Sequence, residues 1–423
     1  MRRYFGTDGV RGVVGESLTG QLVARLGRAA VLADGARRVF VGRDTRASGV
    51  ELEAALAAGI ASAGATAVLG GVLPTAAVAL GALDLGIAIT ASHNPPAYNG
   101  VKFFNGDGGK LSDGQEERIE ALLDGWLPAR EPAGAAGEPA NGAAERYLDH
   151  VLGAFGADLG GLRLVVDSAN GAYAGLAPRG FARLGAEVYA IGDAPDGSNI
   201  NSGCGAGDTA LLRETVLARG ADLGIAFDGD GDRIACIDER GQLVDGDGIL
   251  AILALHLGVE LVCVTQMTNL GFHALMASRG IRVVTTDVGD RHVLEALLRE
   301  GGVLGGEQSG HVIYLDGHVS GDGLTAGLLL CAALRGRPLS EAAAVLERYP
   351  QAQQNVQVVS KELTPVLLEA VARLSAELDG SGRVLVRPSG TEPLVRVLVE
   401  TRSAARAREA CGMMASLVQS ELG

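Results

Sequence analysis

The sequence predicts an α/β protein with three similar, mixed or parallel α/β domains and a C-terminal α+β domain around a central active-site cleft. Three observations support this prediction: the length of 423 residues, an alternation of β-rich and helical stretches, and a final strand, helix, strand, strand, helix pattern. At roughly 150 residues per domain, the chain is too long for one core. We place the domains at residues 1–152, 153–247, 248–353 and 354–423.

The alternation is clearest in the first domain. β-rich runs at 39–41, 67–69 and 86–89 alternate with Ala- and Leu-rich helical stretches at 50–63 and 75–83. This order of elements is typical of a mostly parallel sheet that has helices on its faces.

Later elements follow from similar patterns. Strands are predicted at 162–167, 223–227, 261–265, 281–285, 312–315, 383–387 and 394–400, and helices at 292–299, 364–378 and 404–422. Thr364 suits an N-cap because its hydroxyl can accept a backbone N–H, and Pro365 suits the first helical position. The stretch 127–145, rich in Pro, Gly, Ala and Glu, predicts a surface loop or linker.

The composition favours a cytoplasmic protein that acts on small molecules. Monomer and homodimer stay open as its oligomeric state. The formal charge of −14 disfavours nucleic acid and anionic membranes as partners. Five cysteines without a C-x-x-C pair argue against a disulfide framework and a zinc site. The N-terminus runs into Gly6 without the apolar segment of a signal peptide. The longest apolar stretch, 249–264, is shorter than the ~20 residues of a membrane span and predicts a helix followed by a buried strand.

The sharpest motif is an acidic loop at the end of a predicted strand. Asp228, Asp230 and Asp232 alternate with glycines, so their carboxylates can converge. Like charges about 4 Å apart repel by about 4 kcal/mol at an effective dielectric of about 20, and a divalent cation relieves this repulsion. All-oxygen ligands favour Mg²⁺ or Ca²⁺. An EF-hand loop is the alternative, with Glu239 at its twelfth position, but Arg233 stands where that loop requires glycine.

A second motif, from Thr90 to Pro96, follows another predicted strand. Loops at the ends of parallel strands commonly carry functional residues, which makes Ser92 a candidate nucleophile. Taken alone, a Ser-His pair beside proline is more typical of an ordinary turn. The segment also lacks the context of a hydrolase nucleophile elbow, so a hydrolytic triad is not predicted.

A third motif lies between the two last predicted strands. Its side chains are Arg387, Ser389 and Thr391, with Gly390 opening the backbone and Arg396 following in the next strand. Guanidinium groups, hydroxyls and free backbone N–H groups are the parts of a phosphate cradle. By itself, the segment also suits a hairpin turn.

Two further segments carry polar side chains among glycines. Glu307 and Ser309, two residues apart in the segment 305–311, could accept and donate hydrogen bonds to neighbouring sugar hydroxyls. Arg11 lies in the glycine-rich segment 6–12 before the first predicted helix. Read alone, the first segment suits a turn and the second a flexible terminus.

Taken together, these loops resemble the α-D-phosphohexomutase superfamily, and the resemblance extends from Gly6 to Arg396. The phosphoserine, metal, sugar and phosphate loops of that superfamily match, in order, residues 90–95, 228–233, 306–311 and 387–393. The resemblance implies four domains that each contribute one loop to the active site.

The resemblance also implies individual roles. Ser92 would carry the phosphoryl group, with Arg11, His93 and Lys102 beside it. One Mg²⁺ per chain would be held by Asp228, Asp230, Asp232 and phosphorylated Ser92. Substrate binding would fall to Arg233, Glu307, Ser309 and His311, and phosphate binding to Arg387, Ser389, Gly390, Thr391 and Arg396.

The implied mechanism passes a phosphoryl group from Ser92 to the sugar. The resulting bisphosphorylated hexosamine must reverse its orientation before it returns its other phosphoryl group to Ser92. Positioning and electrostatic stabilisation dominate such catalysis, which favours a closed cleft with the fourth domain as its movable wall. A base must accept the proton of the substrate hydroxyl, and Arg11, His93 and Lys102 are the alternatives.

Within the superfamily, three segments resemble the members that interconvert glucosamine 6-phosphate and glucosamine 1-phosphate for cell-wall precursor synthesis. They are the opening 4–12, Gln308 and the segment 287–291. The segment 206–208 departs from the Ser-Thr-His pattern of many members but lies outside the catalytic loops. The alternatives are a mutase for glucose or mannose phosphates, a metal-dependent phosphatase and a Ca²⁺-binding protein, the last disfavoured by Arg233.

Overall fold

The computed structural model describes residues 3–6, 8–123, 137–378, 380–389 and 393–423. These residues form two compact units. The first unit comprises Met1–Met267 and Ile281–Val345, and the second comprises Thr268–Gly280 and Leu346–Gly423.

The first sheet of the first unit has six strands. The elements of this region are β1 (Val10–Val13), α1 (Gly20–Asp34), β2 (Arg38–Arg43), α2 (Gly49–Ser62), β3 (Thr66–Val72), α3 (Thr75–Leu80), β4 (Leu85–Ile89), β5 (Tyr98–Asn105), α4 (Asp113–Ala121), β6 (Glu138–Pro139) and α5 (Ala143–Phe155). The strand order is β1-β5-β4-β2-β3-β6. Strands β2, β3, β4 and β6 run parallel, whereas β5 is antiparallel to both of its neighbours. Apolar residues of α1, α2, β2 and β4 form the core on one face.

The second sheet has five strands. Its region contains β7 (Arg163–Asp167), α6 (Ala177–Arg183), β8 (Glu187–Ile191), α7 (Ala210–Arg219), β9 (Leu223–Phe227), β10 (Ile234–Asp238) and β11 (Leu243–Val244). The order is β11-β10-β9-β7-β8, with β7, β8 and β9 parallel and β10 antiparallel to β9. Every residue of β9 is buried, as expected for a strand covered on both faces.

The third sheet has four strands. The elements from residue 246 to 343 are α8 (Gly246–Leu257), β12 (Leu261–Thr265), α9 (Leu270–Ser278), β13 (Arg282–Thr286), α10 (Asp290–Glu300), β14 (Leu304–Gly306), β15 (Val312–Tyr314), α11 (Gly323–Leu334) and α12 (Leu339–Ala343). Helix α9 belongs to the second unit. The strand order is β13-β12-β14-β15. Strands β13, β12 and β14 run parallel to one another, and β15 is antiparallel to β14.

The second unit has an antiparallel sheet with two long helices. Its remaining elements are β16 (Gln351–Gln357), α13 (Pro365–Glu377), β17 (Gly382–Pro388), β18 (Leu394–Thr401) and α14 (Ala404–Leu422), with the strand order β16-β18-β17. Apolar residues of both helices and all three strands form its core. As predicted, Thr364 is the N-cap of α13, and its Oγ1 accepts the Leu367 N–H at 3.3 Å.

The first three sheets share one arrangement that positions the site. In each of them a parallel strand is followed by a loop and then by an antiparallel strand. The loops are 90–97 between β4 and β5, 228–233 between β9 and β10, and 307–311 between β14 and β15. Each loop therefore begins at the carboxyl end of a parallel strand, where α/β proteins place their functional groups.

The predicted fold class, three α/β sheets and a C-terminal α+β sheet, is confirmed. The strands predicted at 223–227 and 261–265 and the helix predicted at 404–422 have the predicted limits. The loop predicted at 127–145 is wrong in part, because β6 and the first turn of α5 lie within it, and its residues 127–136 lie outside the described residues. The four domain limits stay a prediction.

No helix in the described ranges is both long and apolar enough to cross a membrane.

Helices α1 and α2 approach so closely at Gly59 that a side chain there is excluded. A Cβ on Gly59 would lie 1.9 Å from the Ala24 carbonyl oxygen. We expect Gly59→Ala to destabilise the protein by about 1–3 kcal/mol, measured as a lower midpoint of urea unfolding, because α1 and α2 must separate. The control is Gly153→Ala in α5, where a Cβ meets nothing within 4 Å. Equal midpoints for the two variants would contradict the close approach of α1 and α2.

Candidate active site

Ser92 lies in the loop that follows β4, with its side chain buried. Its backbone has φ +52°, in the left-handed region that a residue with a Cβ rarely adopts. Its Oγ donates a hydrogen bond to Asp228 Oδ2 at 2.5 Å and lies 3.3 Å from His93 Nδ1. The strained turn therefore points the hydroxyl at the acidic loop of the second sheet.

The three aspartates of the acidic loop converge, as the sequence predicts. Asp228, Asp230 and Asp232 are buried, and their ligand oxygens lie within 4.8 Å of one another. Asp230 Oδ1 and Asp232 Oδ1 have no hydrogen-bond partner. Gly229 permits this arrangement, since a Cβ there would lie 2.7 Å from the Ser92 carbonyl oxygen. Three buried carboxylates with two unpartnered oxygens fit a hard divalent cation.

The first sheet contributes a positive charge to this acidic cluster. Lys102 Nζ, at the end of a buried side chain from β5, lies 2.7 Å from Asp230 Oδ2, 2.8 Å from Asp232 Oδ2 and 3.0 Å from Asp8 Oδ2. Burial opposes the charged amine, but these carboxylates outweigh it and hold the pKa of Lys102 well above its usual range. Lys102 therefore stays a cation and compensates part of the acidic charge.

The carboxylates of the cluster are not equivalent. Burial and the charges of Asp232 and Asp230 raise the pKa of Asp228 well above its usual range. Burial also opposes ionisation of Asp232, but Lys102 and His311 outweigh it and hold the pKa of Asp232 well below its usual range. The carboxyl group that faces Ser92 is thus the one that lacks a nearby lysine. A bound cation would supply the missing charge there.

His93 differs from the other predicted neighbours of Ser92. Burial, followed by the charges of Arg233 and Arg11, lowers the pKa of His93 to about 4, so its imidazole is neutral near pH 7. In contrast, burial opposes a higher pKa for Arg11, but the carboxylates of Asp8, Asp230 and Asp232 together outweigh it and raise the pKa of Arg11, which donates to Asp8.

The loop between β14 and β15 brings three predicted side chains to the same region of the first unit. Glu307 Oε1 accepts the Gly289 N–H at 3.0 Å, and Glu307 Oε2 accepts the Ser309 hydroxyl at 3.4 Å. His311 Nδ1 lies 3.7 Å from Asp232 Oδ1. Burial opposes protonation of His311, but nearby carboxylates, chiefly Asp290, raise its pKa to about 9. The sugar-binding candidates and the metal-binding candidates are therefore in direct contact.

The predicted phosphate-binding residues lie in the second unit. Arg387 on β17 faces Arg396 on β18, and burial together with the charge of Arg396 lowers the pKa of Arg387. Ser389 is buried, and its carbonyl oxygen accepts a hydrogen bond from Lys361 at 2.9 Å. Gly390 and Thr391 lie outside the described residues. Two facing guanidinium groups repel each other, which favours an anion between them.

Comparisons with known proteins agree with this geometry. Four family models match in order: Phosphoglucomutase/phosphomannomutase alpha/beta/alpha domain I at residues 2–128, domain II at 145–241, domain III at 245–349 and the C-terminal domain at 341–417. A phosphoglucosamine mutase of Desulforudis audaxviator is 48% identical over 95% of both chains. One of Moorella thermoacetica is 50% identical over 95% of both chains.

The chain belongs to the phosphoglucosamine mutase family. This confirms the predicted α-D-phosphohexomutase superfamily and the subgroup suggested by the segments 4–12, 287–291 and Gln308. Among solved structures, a phosphoglucomutase/phosphomannomutase family protein from Burkholderia thailandensis has a TM-score of 0.82 and 27% identity, covering 99% of this chain and 97% of that chain.

Three further residues support the site of this phosphoglucosamine mutase family member and were not predicted from the sequence. Thr75, at the start of α3, donates its hydroxyl hydrogen bond to Asp230 Oδ2 at 2.6 Å. Asp8 binds Lys102, and Arg46 supports the Ser92 loop. Asp8 lies in the segment 6–12, so the resemblance to the superfamily could have identified it. Nothing in the local sequence distinguishes Thr75 from an ordinary residue at the start of a helix.

Arg46 holds the Ser92 loop in its strained form. Its side chain is fully buried and donates to the carbonyl oxygens of Ser92, Asn94 and Pro95 at 3.0, 2.8 and 2.6 Å. Its Nε donates to Asp44 Oδ2 at 2.9 Å, which balances the charge. The planar guanidinium group can meet this set of acceptors, whereas a lysine ammonium cannot.

We expect Arg46→Lys to lower kcat by about 10- to 100-fold with little change in the KM for the sugar phosphate, because Ser92 loses its fixed orientation. Turnover and KM are measured on samples of equal folded fraction. Arg43→Lys is the matched control, since Arg43 is the last residue of β2, three residues before Arg46, and pairs with Glu53 at 3.4 Å. If both variants kept the wild-type kcat, Arg46 would serve stability alone.

Proposed function

We propose that the chain interconverts glucosamine 6-phosphate and glucosamine 1-phosphate through a phosphoryl group carried on Ser92. One observation carries the proposal: Ser92 Oγ lies 2.5 Å from Asp228 Oδ2, at the edge of a buried cluster of three carboxylates. A hydroxyl so placed can hold a phosphoryl group beside a cation. The names of the relatives support glucosamine phosphate as the substrate.

The metal in this proposal is Mg²⁺, held by Asp228, Asp230 and Asp232. Oxygen ligands suit this hard cation, and the unpartnered Oδ1 atoms of Asp230 and Asp232 support its placement. When bound, Mg²⁺ neutralises negative charge on the phosphoryl group during transfer. Thr75 and Lys102 orient the carboxylates through their contacts with Asp230.

Each turnover consists of two transfers with balanced bonds. In the first, the bond between phosphorus and Ser92 Oγ breaks as a bond to the sugar hydroxyl oxygen forms; the hydroxyl proton passes to a base and Ser92 Oγ takes up a proton. The bisphosphorylated hexosamine then reverses its orientation. In the second transfer, Ser92 Oγ loses its proton as it bonds to the other phosphorus, the bond from that phosphorus to the sugar oxygen breaks, and that oxygen receives the proton held by the base. This sequence leaves the enzyme phosphorylated and the product isomerised.

Arg11, His93 and Lys102 stay the three candidates for the base, and their contacts differ. Lys102 directs its ammonium group at three carboxylates, and Arg11 donates to Asp8. The hydrogen bond of His93, in contrast, is with Ser92 Oγ at 3.3 Å. In an in-line transfer the attacking sugar hydroxyl lies on the far side of phosphorus from Ser92 Oγ, so this contact suits His93 to exchange a proton with Ser92 Oγ.

The remaining residues bind the two ends of the substrate. We assign the sugar hydroxyl groups to Glu307, Ser309 and His311, with Arg233 beside them. We assign the phosphate that is not transferred to the pair Arg387 and Arg396, together with Ser389, Gly390 and Thr391. The lowered pKa of Arg387 supports this anion-binding role, because it reflects burial and the nearby charge of Arg396.

The product would enter amino-sugar synthesis for cell-wall precursors in the cytoplasm. The net charge of −14 supports a small-molecule substrate that is met by local arginines, and disfavours nucleic acid. Monomer or homodimer stays a prediction.

The phosphoserine mechanism predicts that Ser92→Ala lowers turnover by at least about 10³-fold, because the variant has no hydroxyl to accept the phosphoryl group. Intact mass and peptide mapping after incubation with bisphosphorylated glucosamine should place one phosphoryl group on the wild-type Ser92 peptide and none on the variant. Ser168→Ala is the control, because Ser168 is also buried at a strand end. Wild-type turnover by Ser92→Ala would refute the mechanism.

The substrate assignment predicts a kcat/KM for glucosamine phosphate at least about 10-fold higher than for glucose or mannose phosphate, a difference of about 1.4 kcal/mol. The physical reason is the carboxylate of Glu307 at the sugar loop, which accepts hydrogen bonds from the neutral Gly289 N–H and Ser309 hydroxyl and can also accept one from a cationic 2-amino group. Coupled assays with glucosamine, glucose and mannose phosphates at equal Mg²⁺ concentration measure this ratio of kcat/KM values. Preference for the 2-hydroxy sugars would reject the assignment, and free phosphate without isomer would indicate a phosphatase.

A further inference from the structure

Two largely buried charged residues have no part in the function proposed above. Lys110 follows β5 in the first sheet, and Asp290 is the first residue of α10 in the third. Their charged groups are in contact, with side-chain exposures of 18% and 14%. Lys110 Nζ also lies 2.7 Å from Asp8 Oδ1. A buried ion pair between two sheets is costly to form and is strongly disrupted when one partner is removed.

The pair completes a closed ring of contacts around the site. The six members, in order, are Asp8, Lys102, Asp232, His311, Asp290 and Lys110. Asp290 Oδ2 lies 3.4 Å from His311 Nε2, and the other ring nitrogen of His311 lies 3.7 Å from Asp232 Oδ1. The ring therefore connects the N-terminal segment, the metal loop and the sugar loop, which come from three different sheets.

The segment around Asp290 also holds a second residue of the sugar loop. The backbone N–H of Gly289, the preceding residue, donates to Glu307 Oε1 at 3.0 Å. Consecutive residues thus contact both Glu307 and His311. A shift of the start of α10 would move both of these side chains together.

We propose that Lys110 and Asp290 are positioning residues that fix Glu307 and His311 for the sugar, by anchoring the start of α10 to the first sheet. The inference rests on the proposed function and deepens it, because it assigns substrate positioning to residues that do not touch the substrate. Supporting contacts of this kind commonly change affinity or activity by 10- to 100-fold, roughly.

The alternative is that the Lys110–Asp290 ion pair only stabilises the packing of the first sheet against the third. A second ion pair between the same regions allows this alternative to be tested. Arg291, the next residue of α10, lies 2.8 Å from Asp113 and 3.3 Å from Glu116, both on α4, and the side chains of Arg291 and Glu116 are largely buried. This pair joins the same two regions but does not contact the metal loop or the sugar loop in the described structure. Removing this ion pair therefore tests whether the loss of any largely buried ion pair between these regions raises the KM.

The experiment compares Lys110→Met, Asp290→Asn and the double variant with Glu116→Gln. We expect either single variant to raise the KM for glucosamine phosphate by about 10-fold or more, with kcat changed by less than about 3-fold. The double variant should be no worse than the more affected single variant, because both single variants already remove the Lys110–Asp290 contact that anchors the start of α10. Lys110→Arg should restore most of the affinity, because it keeps the charge and the reach.

Glu116→Gln should lower the unfolding midpoint while leaving the KM within about 2-fold of wild type. Equal KM values for Glu116→Gln and the two ring variants, or multiplicative effects in the double variant, would overturn the proposal. Calorimetric binding of glucosamine phosphate on the Ser92→Ala background repeats the comparison without turnover. If wild-type enzyme turned over no glucosamine phosphate, the proposed function would fail, while equal calorimetric affinities across the variants would overturn the ring's role separately.

Discussion

The burial of three carboxylates at the end of one strand is the constraint on which the rest of the site depends. Asp228, Asp230 and Asp232 cannot all be ionised in a buried position unless positive charge is close by. Part of that charge is Lys102, which reaches the cluster from the first sheet. On the side that faces Ser92, the chemistry of the three carboxylates fits a divalent cation. The ion pairs between Lys102 and the aspartates thus connect the first sheet to the second.

One arrangement of strand, loop and antiparallel strand occurs in each of the first three sheets and positions the charged side chains. In each of the first three sheets, the loop at the carboxyl end of a parallel strand turns into an antiparallel strand, and the loop carries the functional side chains. Antiparallel pairing on both sides of the loop fixes its ends by backbone hydrogen bonds. The loops can therefore carry strained or charged residues without becoming mobile.

The Ser92 loop shows how such strain is supported. A left-handed conformation at a residue with a Cβ costs about 1–3 kcal/mol and persists only where surrounding contacts over-determine it. Arg46 supplies those contacts through three carbonyl oxygens, and Asp44 neutralises its charge in the interior. The backbone of Ser92 is thus held by a residue whose hydrogen bonds involve neither the Ser92 hydroxyl nor the carboxylates of the acidic loop.

The sequence by itself determined the fold class, most strands and helices, the acidic loop and the family, because these depend on local periodicity and on short motifs within one segment. Strand β9 and helix α14 have their predicted limits for this reason. Tertiary structure alone decided which segments meet: Lys102 with the aspartates, Thr75 with Asp230, and Lys110 with Asp290. These partners lie more than a hundred residues apart, and ion pairing between separate sheets leaves no periodic signal in a single sequence. The sequence therefore identified the three aspartates and Lys102, and only the packing of the sheets showed how their charges are balanced.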